Sequence, residues 1–299
     1  MPGVMSHLII RHNKTMSLNK SSFVLVLSLS LLGCGEHQAN VTTLNTVPQS
    51  SESKIQNSQT PSPVTTPTPV QEVTFGKGLK IVPRTVELKN ESRRYEINVV
   101  YPQIEGSKRP GIRKLNRQIR ELVTERYQWP LFPSREDLRY YEKWPGFFNT
   151  VNLDYDVVLA TNDLLSIYFE VYSYGLGAAH SVQQSFTVNF DLSSEKPIHL
   201  AGLFRPHAKH LQFISDYCIN ELSKDHQYAL SDLGFKDELS PKPKNYESWN
   251  ITKEGLRFNF DACKIDGCAA GKLEVRIAFD ALKEKLKAKS PMNSIGRSA

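Results

Sequence analysis

The sequence has no apolar run as long as the about 20 residues that a bilayer-spanning helix needs; the stretch from Phe23 to Leu32 falls short. It also lacks a basic motif interleaved with aromatics. A formal net charge of +6 spread over 299 residues does not replace one, so nucleic acid is excluded as a partner. No nucleophile elbow surrounds Ser181, which argues against a serine hydrolase. His207 and His210 have no carboxylate or third histidine set by the sequence to complete a metal site, and surface histidines are the expectation. The carboxylates are plentiful but form no catalytic motif, so no catalytic residue, metal or cofactor is assigned.

What is present begins with an address. Lys20 precedes the Phe23–Leu32 run as the basic residue of a signal peptide does. The run closes on Leu31-Leu32-Gly33-Cys34, which resembles the lipobox of bacterial lipoproteins. A lipoprotein signal peptide over residues 1–33 and lipidation of Cys34 follow, with an ordinary cleaved signal and an incidental cysteine as the alternative. Met1 and Met16 both stand as starts, Met16 giving an n-region of ordinary length. The location implied is the bacterial cell envelope, lipid-anchored and facing the periplasm or the exterior. Residues 34–72, with Pro61, Pro63, Pro67 and Pro69, read as a disordered Pro/Ser/Thr-rich tether. Such a segment reaches on the order of 3 Å per residue where it is polyproline-like.

The folded sequence centres on residues 164–192. Leu165, Ile167, Phe169 and Val171 alternate with polar residues, and so do Val182, Phe186, Val188 and Phe190. A two-residue repeat puts the apolar side chains on one face of a strand. The glycines of Tyr174-Gly175-Leu176-Gly177 allow the reversal between the arms, which makes a β-hairpin. Residues 151–160 alternate likewise and add a third antiparallel strand. Strands are also expected over 85–89 and 93–101, and around Leu256–Phe260 and Leu273–Phe279. A helix is expected from about Pro110 to Gln128, where Ile112, Leu115, Ile119 and Leu122 recur at helical spacing and Arg113, Arg117 and Arg120 form a solvated stripe. A second helix opens at Pro206 with Leu211, Ile214, Cys218 and Leu222 on one side, and a short one runs to about Lys287. Residues 224–244 read as loop, and the aromatic-rich stretch 131–148 as mostly core with some contact surface.

The cysteines, a histidine and one sheet face carry the candidate chemistry. Cys263 and Cys268 bracket a short loop between strands, and an oxidising envelope favours a disulfide over a metal site that has no nearby histidine. Cys218 reads as a buried free thiol. His180, after the hairpin glycines, reads as a hydrogen-bonding element that fixes its loop, with general base or ligand as the alternative. Alternation places Asp154, Asp156, Tyr168, Glu170, Tyr172, Gln183, Thr187 and Asp191 opposite the core, on an acidic, tyrosine-bearing face. That face is a contact surface suited to a basic partner, an ordinary wetted sheet face, or a second face covered by the amino-terminal subdomain.

Tyr172-Ser173-Tyr174-Gly175-Leu176-Gly177-Ala178-Ala179-His180, then Phe190-Asp191-Leu192 through Ile198-His199-Leu200 to Leu203-Phe204, and Gly255–Phe258 through Ala269-Ala270-Gly271 to Glu274-Val275 together resemble the RsiV-like carboxy-terminal domain, domain of unknown function 3298. Residues 95–119 resemble the smaller domain that usually precedes it. The resemblance implies an α+β fold: an antiparallel sheet with a central β-meander packed against two or three helices. It divides the chain into a small α+β subdomain over 73–149, an RsiV-like α+β domain over 150–289 and a frayed tail over 290–299. It also implies envelope proteins, either a lysozyme-sensing anti-sigma factor or the non-catalytic part of a peptidoglycan deacetylase. The expectation is an envelope-anchored lipoprotein that binds lysozyme or a cell-wall fragment without catalysis. The alternatives are a peptidoglycan or carbohydrate hydrolase using carboxylates near His180, and a structural scaffold. Candidate ligand-binding residues are Tyr168, Glu170, Tyr172, Tyr174, His180, Ala270 and Gly271.

Overall fold

A computed structural model describes residues 73–76, 78–225, 237–265 and 268–297. The signal peptide, Cys34 and the tether lie outside the described residues. Seven strands form one sheet in chain order: β1 (Val73–Phe75), β2 (Leu79–Asn90), β3 (Tyr95–Glu105), β4 (Asn149–Ala160), β5 (Leu164–Tyr174), β6 (Val182–Asp191) and β7 (Lys196–Pro197). Neighbours are antiparallel except β3 and β4, which run parallel over Tyr95–Val99 and Asn149–Leu153. A parallel pair requires a crossover. This one carries α1 (Pro110–Tyr127) and α2 (Arg135–Tyr141).

The helix α1 forms where the spacing predicts it. Ile112, Leu115, Ile119 and Val123 are all buried against the sheet. Pro110 occupies the first turn, where its missing N–H costs nothing. The residue at the helix start, Arg109, gives no side-chain cap. Instead the Glu195 carboxylate, from the turn between β6 and β7, accepts the Gly111 N–H at 2.8 Å and pairs with Arg109 at 3.2 Å. An anion at the positive end of the helix satisfies a donor that the helix itself leaves open. Farther along, Asn116 both accepts from and donates to the backbone of Ile104 at 2.8 Å, standing in for a strand neighbour beyond the reach of β4.

The meander β4-β5-β6 forms as expected. Its apolar side joins Ile81, Ile97, Val99 and the α1 stripe in one core spanning Phe75 to Leu192. The division expected between residues 149 and 150 therefore falls at the start of β4, inside a continuous sheet and a continuous core.

A second layer follows: α3 (Leu200–Leu203), α4 (His210–Asp225), β8 (Trp249–Ile251), β9 (Gly255–Phe260), β10 (Leu273–Ala278) and α5 (Phe279–Leu282). The strands make an antiparallel sheet in the order β10-β9-β8. Ile214, Cys218 and Leu222 of α4 pack with Phe258, Phe260, Val275 and Ile277 in a second core. The architecture is α+β, as the resemblance implies, with five α-helices among the described residues, of which α1 and α4 are long.

Several local expectations change. The second long helix opens at His210 rather than Pro206, because His207 and Lys209 take left-handed φ angles of 63° and 46°. The last helix ends at Leu282 rather than near Lys287, and Leu286 then bridges to Phe204. In the expected loop, residues 226–236 lie outside the described residues, but Leu239 and Tyr246 are buried in the second core. The tail expected to fray is a 3₁₀ helix over Pro291–Arg297, held by the fully buried Met292. Among the described residues no helix is long and apolar enough to cross a membrane.

Candidate functional site

The polar side of the hairpin is not the open face that alternation alone suggests. Its middle is covered by the edge of β8. Ser166, fully buried, accepts from the Ile251 N–H at 3.2 Å and from Asn250 at 2.9 Å, and donates to Asn189 at 2.7 Å. Asn189 in turn donates to the Trp249 carbonyl at 2.8 Å, and the Thr187 hydroxyl accepts the Trp249 N–H at 3.3 Å. Outward-pointing backbone groups of an edge strand need partners when buried. Here side chains of β5 and β6 supply them.

Tyr168 and Gln183, both expected on a wet face, are 4% and 8% exposed. Arg257 of β9 and Lys272 lie over the Tyr168 ring at 5.1 and 5.3 Å from its centroid. Burial, with Glu170 adding to it, pushes the Tyr168 hydroxyl far above its ordinary range. Tyr168 is thus part of the seam between the sheets and is withdrawn as a ligand-binding residue.

Toward the hairpin tip the seam opens. Glu170 accepts from the Tyr172 hydroxyl at 3.2 Å, from Gln183 at 3.1 Å and from Lys272 at 3.0 Å. Gln183 also accepts the Ala262 N–H at 2.8 Å, and Ser185 donates to Asp261. Burial raises the Asp261 carboxyl above its ordinary value, against the opposing pull of Ser185 and Lys264. The loop after Asp261 is closed by the expected disulfide between Cys263 and Cys268. Lys272, next in sequence to Ala270 and Gly271, brings that loop to Glu170. Ala270 is exposed and Gly271 half-buried. The structure therefore brings Glu170, Tyr172 and the disulfide loop together, with Tyr172 46% exposed at their margin.

The tip itself is anchored from another direction. Asn149, 1% exposed, accepts the Leu176 N–H at 2.9 Å and donates to the Arg94 carbonyl at 3.2 Å. Tyr174, opposite Thr150, is half-buried. His180 is exposed, and its Nδ1 lies 3.0 Å from the carbonyl of the adjacent Ser181, so the ring does not bridge the loop. Among the described residues no hydrogen bond or ion pair joins that ring to a carboxylate. His210 stacks on Phe204 at 5.0 Å, a packing role. Cys218 is buried and free, its thiol pushed up to about 12 by burial.

Lys272, Asp261, Arg257 and Asn149 were not read from the sequence as site residues. No spacing signals them, because their contacts at the seam and the tip reach across the chain, from Asn149 to Leu176 over 27 residues and from Lys272 to Glu170 over 102.

Comparison with known proteins bears on this arrangement. A family profile described as protein of unknown function (DUF3298) matches residues 201–280, and one described as deacetylase PdaC matches residues 88–183. The chain carries a DUF3298 domain. A PdaC-like domain precedes it. The two matches meet at the seam: the PdaC-like domain supplies β4 and β5, and the DUF3298 domain supplies the sheet that covers them. One relative is peptidoglycan-N-acetylmuramic acid deacetylase PdaC of Bacillus subtilis strain 168, 27% identical over 139 residues. That match takes in 46% of this chain and 30% of the relative, so the chain spans under a third of that protein. A DUF3298 family protein of Pseudomonas aeruginosa PAO1 aligns with 72% of this chain and 95% of its own, at a TM-score of 0.50 and 15% identity. A DUF3298 member from Bacteroides fragilis aligns with 73% and 98%, at a TM-score of 0.49 and 16% identity. The Pseudomonas structure supports the fold; neither bears on ligand or activity.

Proposed function

We propose that this protein is an envelope-anchored lipoprotein whose α+β module binds an extracytoplasmic ligand, a protein such as lysozyme or a cell-wall fragment, without catalysis. The observation that carries this reading is the state of Glu170. Its carboxylate already receives three donors, from Tyr172, Gln183 and Lys272, and so serves as a fixed strut rather than a free base. Around it, Tyr172 and the disulfide-closed loop with Ala270 and Gly271 offer a surface held from behind by two sheets, with Tyr174 farther toward the hairpin tip. A preorganised surface loses little freedom on binding. Tyrosine adds contact area at low entropic cost.

The test is binding of the purified protein to lysozyme at several salt concentrations, with muropeptide analysis alongside. Affinity falling with salt and unchanged muropeptides are expected. Turnover of wall material that is lost in His180→Ala would overturn the reading in favour of a hydrolase. For the anchor, lipid labelling in cells is expected for the natural chain and absent for Cys34→Ser.

A further inference from the structure

Much of the aromatic stretch before β4 is not core. Tyr141 is buried and Phe148 half-buried, but Tyr140, Trp144 and Phe147 are 40%, 37% and 54% exposed. Their rings form a contiguous ledge: Tyr140 to Trp144 and Trp144 to Phe147 are each 6.4 Å between centroids. Exposed aromatic rings in contact with each other are unusual on a monomer and mark a site for a partner.

The chain that carries the ledge also walls a groove. Leu138, Tyr141 and Glu142 from α2 and its end face Glu91, Ser92 and Arg94 from the turn between β2 and β3, around a cavity of about 340 Å³. That volume lies within the range of small-molecule sites. The floor is rigid. Asn149 holds the Arg94 carbonyl through both its backbone N–H and its side chain, at 2.8 and 3.2 Å. Arg94 itself sits at φ 55°, a left-handed conformation that a non-glycine residue keeps only where its surroundings enforce it.

We infer that the ledge and groove form a glycan-binding site, with pyranose rings stacked on Trp144 and Phe147 and their substituents bonded in the groove. The chemistry selects this occupant. The ledge is aromatic, not aliphatic, and the negative face of an aromatic ring complements the weakly positive C–H face of a sugar. The groove walls pair two carboxylates and a serine with one guanidinium, a set that donates to and accepts from hydroxyl and acetamido groups. Its net charge of one negative, offset where Lys89 lies 3.7 Å from Glu91, suits a neutral polyhydroxylated ligand better than a polyanion. Only the choice of an N-acetylated glycan as probe rests on the envelope reading above.

The test titrates the detergent-solubilised full chain with the N-acetylglucosamine hexamer, by calorimetry and by tryptophan emission. Saturable binding is expected, weakened on the order of tenfold in Trp144→Ala and in Phe147→Ala and largely kept in Trp144→Phe, with unchanged unfolding midpoints. No response to millimolar hexamer, or alanine variants that both bind as tightly as the natural chain, overturns the site. If lysozyme binding is lost in those variants while the hexamer gives no response, the ledge is a protein contact and the glycan is wrong. Lysozyme binding unaffected by either variant leaves the proposed function standing whatever the hexamer does.

Discussion

The side-chain oxygen of Asn149 accepts the Leu176 N–H at 2.9 Å across 27 residues, pinning the hairpin tip to the first residue of β4. The same side chain donates to Arg94, so one buried amide ties three strand ends together. Asn149→Ala leaves a buried N–H without its acceptor, and such a loss costs about 1–3 kcal/mol. Denaturant unfolding should register this as a lower midpoint with unchanged slope. A loss below about 0.5 kcal/mol, within the range of an ordinary surface substitution, would remove Asn149 from this role.

Ser166 holds the two sheets together by three hydrogen bonds, to Asn189, Asn250 and the Ile251 N–H. Ser166→Ala should destabilise by roughly 1–3 kcal/mol, since it strands buried polar groups on both sheets. Combined with Asn189→Ala the effects should be less than additive, because each variant breaks the same network. Strict additivity in a double-mutant cycle would show that the seam is held by apolar packing alone.

Periodicity made most of this fold legible, and the failures lie where no repeat speaks. Ile112, Leu115 and Ile119 announced α1, and the alternation of Leu165 to Val171 announced β5, because a repeat records which side faces the core. A repeat does not say what covers the other side. Tyr168 looked wet by register, yet Arg257 and Lys272 come over it from strands about a hundred residues on. The strand that closes the seam, Trp249–Ile251, is three residues long with every one buried, so it carries no alternation to read. The aromatic stretch failed in the opposite direction. Residue type suggested core for Trp144 and Phe147, but both lie past the end of α2 at Tyr141, in an exposed turn before β4. The pairing of Cys263 with Cys268 was legible because proximity in sequence already limits their separation in space.

That pair gives a chemical prediction. In a Cys34→Ser background, denaturing and non-reducing titration should find one free thiol, that of Cys218. Three would show that the bridge is absent. Replacing both bridged cysteines with serine should cost about 2 kcal/mol on the chain-entropy view of so short a loop. The loss should loosen the loop that Lys272 fastens to Glu170, and lower lysozyme affinity if that surface is used.

Asp261 predicts a pH dependence. Burial raises its carboxyl above the unfolded value, so the folded protein holds that proton more tightly than the unfolded chain does. The contribution to stability is fully present below the unfolded value and is lost as pH rises through the folded one. Asp261→Asn removes this titration while leaving an oxygen to accept from Ser185. Asp154, whose carboxyl burial also raises, titrates in both proteins and cancels in the difference. The stability of the variant relative to the natural protein should therefore improve as pH rises from the acid range toward neutrality. A difference independent of pH would mean that Asp261 does not carry it.

Gly177 couples the hairpin tip to the aromatic ledge. It sits at φ +83°, and a Cβ there would lie 2.0 Å from the Tyr140 hydroxyl. Gly177→Ala thus meets two separable penalties: a left-handed backbone, about 1–2 kcal/mol for a residue with a side chain, and displacement of Tyr140. Truncating Tyr140 in the same chain should return the second and leave the first, so the pair should show a coupling of at least about 0.5 kcal/mol in that direction. Because Tyr140 touches Trp144, Gly177→Ala alone should also shift tryptophan emission. Additive effects with unchanged emission would mean that the tip and the ledge are independent surfaces, and that a ligand seated on Trp144 would not sense the hairpin.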